Sequence, residues 1–117
     1  FYPGYYIRPI EGGRKSQGLH GYNAVDLAAS AGTIIRASAS GTVIASMKNG
    51  GWNGGYGNYV IISHRNGTQT LYAHNQKNFV NVGDLVEQGQ MIAKVGNTGK
   101  SSGPHVHFEI RGAKNPF

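Results

Sequence analysis

A chain of 117 residues carrying a net charge of +6 has room for one hydrophobic core and not for two. It contains no cysteine, which excludes a disulfide scaffold and a thiolate metal site, so a metal here must be held by His, Asp and Glu. The balance favours polyanionic surroundings, whether nucleic acid or an anionic cell wall; the 11 basic side chains form no run, so a solvated basic surface is preferred to a nucleic-acid groove. No apolar stretch is long enough to span a membrane. Phe1 is neither a starting Met nor the head of a signal peptide, so any targeting segment is expected upstream.

Nineteen glycines, many Val, Ile, Thr and Tyr residues, and no sustained 3.6-residue apolar period predict an all-β domain over residues 1–117. The expected form is a single twisted antiparallel sheet or sandwich. Residues 1–19 are mixed, because Pro3, Gly4, Pro9, Gly12 and Gly13 break any regular element, and 1–17 are its least defined part. Tyr22–Ala28 reads as a short strand carrying Asp26. Thr33–Ala37 and Gly41–Lys48 follow as strands joined by Ser38-Ala39-Ser40. Asn49–Asn58 is a glycine-rich loop without the Gly-Lys-Ser/Thr of a phosphate loop. It places Trp52 and Tyr56 at a tip, as packing anchors or as substrate contacts.

Tyr59–Arg65 and Thr68–His74 flank Asn66-Gly67, a strong hairpin signal. A two-residue loop would pair Arg65 with Thr68, Ile62 with Leu71 and Tyr59 with His74. That register puts His74, Tyr72, Tyr59 and Ile61 on one face, and His64 on the other with Ile62, Val60, Leu71 and Ala73. Val82–Gly96 is a further unit of two short strands around Gly89, with a turn at Gly83-Asp84. Asn97–Pro104 is a Gly/Ser loop leading into the last strand.

That strand, Gly103–Arg111, alternates polar and apolar residues. His105, His107 and Glu109 point one way, and Val106, Phe108 and Ile110 point into the core. Two imidazoles side by side on a strand suit a metal, or a metal ligand beside a proton-handling group; hydrogen-bonded surface histidines share the pattern. A catalytic zinc takes three protein ligands and leaves a position for water. His105 or His107 supplies one. Gly18–Leu27 supplies His20 and Asp26, the only carboxylate between Glu11 and Asp84. Glu109 is read first as a salt-bridge partner and second as a group orienting His107.

The ordered set Val25-Asp26-Leu27-Ala28-Ala29, Gly41-Thr42-Val43, Gly57-Asn58-Tyr59-Val60, Leu71-Tyr72-Ala73-His74, Val82-Gly83-Asp84-Leu85-Val86, Gly96-Asn97-Thr98-Gly99 and Ser102–Glu109 resembles the lysostaphin/LytM-type zinc metallopeptidases that cut peptidoglycan. The resemblance covers nearly the whole chain after residue 18. It implies one zinc ion per chain, held by His20, Asp26 and His107, with His74 and His105 as catalytic histidines. It further implies an endopeptidase acting on stem peptides or cross-bridges, a place in the bacterial cell envelope or outside the cell, and an upstream domain or regulator. Five residues separate His20 from Asp26 where the family usually has three, and a bulge at Gly21–Asn23 would absorb the difference. The groove over the zinc site is expected between the loops Asn49–Asn58 and Asn97–Gly103, with Asn23, Trp52, Tyr56 and Ser101 touching substrate.

Other classes fit less well. A non-catalytic LytM-like activator would lack several of the five site residues. A biotinyl or lipoyl carrier needs a lysine at a hairpin tip, and Lys94 lies in a strand. A glycosidase needs two carboxyls flanking the sugar bond, and Glu109 has no evident partner once Asp26 holds metal.

Overall fold

The computed structural model describes residues 6–7, 9–10, 14–20, 24–48, 57–65, 67–96 and 105–112; within residues 14–20 and 24–25 it defines the backbone alone. The strands are β1 (Arg14–His20), β2 (Ala24–Ala28), β3 (Ile34–Arg36), β4 (Gly41–Met47), β5 (Tyr59–Ser63), β6 (Gln69–Ala73), β7 (Asn75–Asn78), β8 (Leu85–Val86), β9 (Met91–Val95) and β10 (His105–Arg111). Among the described residues there is no helix, and all strand pairs are antiparallel, as the composition predicts. One sheet has the order β1-β2-β10-β6-β5-β4-β8, and a smaller one has the order β3-β9-β7.

Two strands escape the sequence reading. The breakers between Pro3 and Gly13 all precede Arg14, and β1 forms by pairing with β2. Strand β7 is polar, with no β-forming residue in Asn75–Asn78, and exists because β9 pairs with it. The two short strands around Gly89 are present but belong to different sheets: β8 pairs with β4, and β9 lies between β3 and β7. The turn before β8 is closed by the Asn81 amide donating to the Asp84 carboxylate at 2.8 Å, with Gly83 at φ +94°.

The core lies between the sheets. Val106, Phe108 and Ile110 of β10 are fully buried there with Leu27, Val60, Ile62, Ile35 and Ile92. Each large side chain so buried stabilises the fold by about 1.5–3 kcal/mol. The Tyr72 and Phe108 rings meet at 5.3 Å between centroids, as their opposed positions on β6 and β10 require.

The β5–β6 hairpin differs from expectation by one residue. The His64 amide donates to the Thr68 carbonyl, and the Gly67 amide donates to the His64 carbonyl, so three residues form the loop. Gly67 takes φ +83°, which lets a Gly-ended three-residue loop compete with the two-residue form. Tyr59 therefore opposes Ala73, Ile61 opposes Leu71, and Ile62 opposes Thr70. Tyr72 moves to the face of His64 and Val60, while Leu71 and Ala73 move to that of Tyr59 and Ile61.

His64 is buried in a directional hydrogen-bond chain. Its Nδ1 donates to the Ser40 carbonyl at 2.8 Å, and its Nε2 accepts from the Thr70 hydroxyl at 2.8 Å. Thr70 accepts from the Tyr72 hydroxyl at 2.7 Å, which accepts from the Ser38 amide at 2.9 Å. Burial lowers the His64 pKa from its ordinary value, against the opposing hydrogen bond to Ser40. The unfolded chain protonates this residue first, so its contribution to stability is present above pH ~6.5 and is lost as pH falls below it. Urea unfolding of wild type and His64→Ala between pH 5 and 8 checks this. The variant should lose about 1–3 kcal/mol at pH 8, from the orphaned Thr70 and Ser40 groups, and show a shallower loss on acidification.

Candidate metal and catalytic site

Strand β10 lies between β2 and β6, and its register sets the site. His107 is opposite Asp26 on one side and Ala73 on the other, and His105 is opposite Ala28. Asp26, His105, His107 and Glu109 therefore share one face of the large sheet. The His107 Nδ1 lies 2.9 Å from the Asp26 Oδ1, and the His105 Nε2 lies 3.8 Å from that same oxygen. The small side chain of Ala73 leaves this part of the face to the imidazoles.

Glu109 is fully buried and does what both readings asked of it. One oxygen is 2.8 Å from the His107 Nε2, and the other accepts from the Arg111 Nε at 3.3 Å and its Nη2 at 3.2 Å. The arrangement fixes the imidazole so that Nδ1 is the nitrogen turned toward Asp26. Burial opposes a charge on His107, but the bonds and charges of Asp26 and Glu109 outweigh it and push its pKa up to about 9.

His74 reaches this site by a route that strand alternation does not give. By parity it would follow Tyr72 to the core side. Instead β6 ends at Ala73, and His74 takes φ +66°, the one non-glycine residue with positive φ among those described. Its ring then lies 4.8 Å from that of His105 and 6.0 Å from that of His107, centroid to centroid. His64 stays on the other face, so the separation of the two histidines holds although the predicted register does not.

The residues on either side clamp this turn. The Asn75 amide donates to the Asn58 carbonyl at 3.0 Å, and the Asn58 side-chain amide returns a bond to the Asn75 carbonyl at 3.1 Å. The Asn75 side chain donates to the Tyr72 carbonyl and to Asn78 Oδ1. The Gly96 amide donates to the His74 carbonyl at 3.1 Å. A Cβ at position 96 would run into the Gln76 backbone nitrogen, so only glycine admits this approach. Asn58 and Gly96 stood among the motifs of the resemblance without a role, and Asn75 and Asn78 were not singled out from sequence. For Asn75 the hint was its type, an Asn whose side chain readily bonds backbone, directly after Tyr72-Ala73-His74.

Among the described residues no set of three His, Cys, Asp or Glu side chains closes on a point. The backbone nevertheless puts His20 on β1, Asp26 on β2 and His107 on β10, three neighbouring strands, with His20 opposite Ala24. The donor chemistry fits a zinc ion: a carboxylate oxygen and an imidazole nitrogen converge, and the other ring nitrogen is held by a second carboxylate. The bulge expected at Gly21–Asn23 falls outside the described residues, as do Asn23, Trp52, Tyr56 and Ser101 and most of the two loops expected to wall a groove. Register shifts occur within β1, between Lys15 and Gln17 and between Gln17 and His20.

Residues 20–117 match the model of Peptidase family M23, and the chain belongs to that family. It is 46% identical over 90 residues, 77% of this chain, to the DD-carboxypeptidase/endopeptidase Mpg of Neisseria meningitidis. It is 39% identical over 99 residues, 85% of this chain, to the murein hydrolase activator EnvC of Escherichia coli. The chain spans 20% and 23% of those two relatives. The structure of lysostaphin, an antimicrobial peptidase from Staphylococcus simulans, superposes with a TM-score of 0.78 at 30% identity, over 88% of this chain and 44% of that one.

The conformation of His74 has a measurable cost. A non-glycine residue in the left-handed region is strained by about 1–2 kcal/mol, a strain that glycine does not feel. His74→Gly should accordingly unfold at higher denaturant than His74→Ala, by about 1 kcal/mol or slightly less, although both lack the ring. Chemical denaturation of the two variants side by side is the check.

Proposed function

We propose that this domain is a zinc-dependent endopeptidase that hydrolyses peptide bonds in peptidoglycan stem peptides or cross-bridges. The observation that carries the reading is the convergence of Asp26, His107, His105 and His74 on one face of a chain of the M23 family. His20, Asp26 and His107 are the residues that would hold one zinc ion. When bound, the metal supplies Lewis-acid polarisation of the scissile carbonyl and lowers the pKa of water toward neutrality. Glu109 keeps the His107 ring oriented through its Nε2. His74 and His105 handle protons: one accepts the proton of the attacking water, and the other bonds the developing oxyanion or returns a proton to the leaving amine. Such a substrate lies in the bacterial cell envelope or outside the cell, and the wall-directed activities named for relatives support that location.

The E. coli relative favours a second reading, in which the domain activates another wall hydrolase without cutting bonds itself. The purified chain alone separates the two. Digested sacculi should show new free amino groups and no new reducing sugar ends, and a chelator should abolish them. Amino groups that appear only with an added hydrolase would establish the activator; new reducing ends would contradict both.

Variants separate metal holding from chemistry. Asp26→Ala and His20→Ala should lower the zinc content of the purified protein, and full retention in both would overturn the ligand assignment. His74→Ala and His105→Ala should keep fold and most of the zinc yet lose about 10²–10⁴ in turnover each. His64→Ala, though less stable, should turn over substrate like wild type wherever it is folded.

A further inference from the structure

The smaller sheet carries a charged feature that the peptidase site does not use. Lys77 on β7 and Lys94 on β9 are directly opposed across the antiparallel pair, so their side chains share a face. Both ammonium groups converge on one ring: the Lys77 Nζ is 5.5 Å and the Lys94 Nζ 5.8 Å from the centroid of Phe79. Phe79 is itself tied to β9, its amide donating to the Ile92 carbonyl at 2.8 Å. Like charges directly opposed on a ladder repel. The ion pairs among the described residues join Asp26 and Glu109 to His105, His107 and Arg111, and no described carboxylate lies within ion-pair distance of either lysine. The ring's negative face offsets part of the repulsion. An anion laid between the two ammonium groups would offset the rest.

We propose that Lys77 and Lys94, held over Phe79, form a docking site for carboxylates, and that its occupants are the free carboxylates of peptidoglycan stem peptides. The inference rests on the reading of peptidoglycan as substrate and adds which of its groups the domain holds. The pair lies on the face of the smaller sheet turned from the core and is tied to the catalytic turn through the backbone. Lys77 is three residues past His74 on the strand that leaves the catalytic turn, roughly 10 Å along by strand rise. Lys94 is two residues before Gly96, whose amide bonds the His74 carbonyl. The lysines present point charges and not the planar fork of arginine, so the site recognises charge without fixing the anion's orientation. That suits a mesh whose carboxylates recur in many orientations.

Co-sedimentation of the intact protein with purified sacculi, stripped of phosphate-bearing polymers and kept on ice to slow turnover, tests the proposal. Lys77→Gln/Lys94→Gln should bind roughly five- to tenfold more weakly than wild type. The control Lys48→Gln/Arg65→Gln, with the same loss of charge elsewhere, should bind within about twofold of wild type. Amidating the sacculus carboxyls should bring wild type down to the level of the Lys77/Lys94 variant and leave that variant unaffected. Equal losses in the two variants would mean diffuse charge and overturn the site. Binding insensitive to amidation but restored by phosphate-bearing polymers would overturn the occupant. Cleavage of a short uncharged cross-linked peptide, assayed separately, should be equal in wild type and the Lys77/Lys94 variant. If no such peptide is cut at all, the peptidase reading fails while the binding result stands on its own.

Discussion

The register of β10 against its two neighbours is the constraint on which the site depends. Because side chains alternate, one strand presents Val106, Phe108 and Ile110 to the core and His105, His107 and Glu109 to the opposite face. A slip of one residue would turn three buried apolar groups out and drive two imidazoles and a carboxylate into the core. The core thus enforces the pairing of His107 with Asp26. Packing energy and the placement of His107 beside Asp26 are set by the same hydrogen-bond ladder.

The second determinant is the passage between sheets. Strand β6 belongs to the large sheet and β7 to the small one, and His74 is the residue at which the chain crosses. A crossing in a single residue demands an unusual backbone, and φ +66° supplies it while swinging the imidazole toward His105. The asparagines at 58, 75 and 78 and the glycine at 96 hold that conformation from several strands at once. Residues without any reacting group are thereby as necessary to the geometry as the histidines.

The parts of the structure written in local pattern were legible, and those written in long-range pairing were not. Alternation disclosed β10, and Asn66-Gly67 disclosed the β5–β6 hairpin. Apolar content alone cannot reveal β1 or β7, which exist because β2 and β9 offer them partners. The hairpin register was missed by one residue because Asn-Gly serves two loop lengths, and the choice lies in how His64 and Thr68 bond. Asp26, His105 and His107 stood out by residue type and pattern, and His74 was added by the family resemblance; the four side chains do lie near one another, yet the route that brings His74 to the others contradicts its parity. The asparagine clamp involves residues up to 20 positions apart, 58 to 78, and no periodicity announces it.

Functional groups are commonly drawn from the least protected parts of a molecule, where opening is easy. Here Asp26, His105 and His107 sit on interior strands of the large sheet, and His74 is pinned between both sheets. Separating these side chains therefore requires breaking strand pairing on both sides of β10 at once, and they have no private, low-energy way of coming apart.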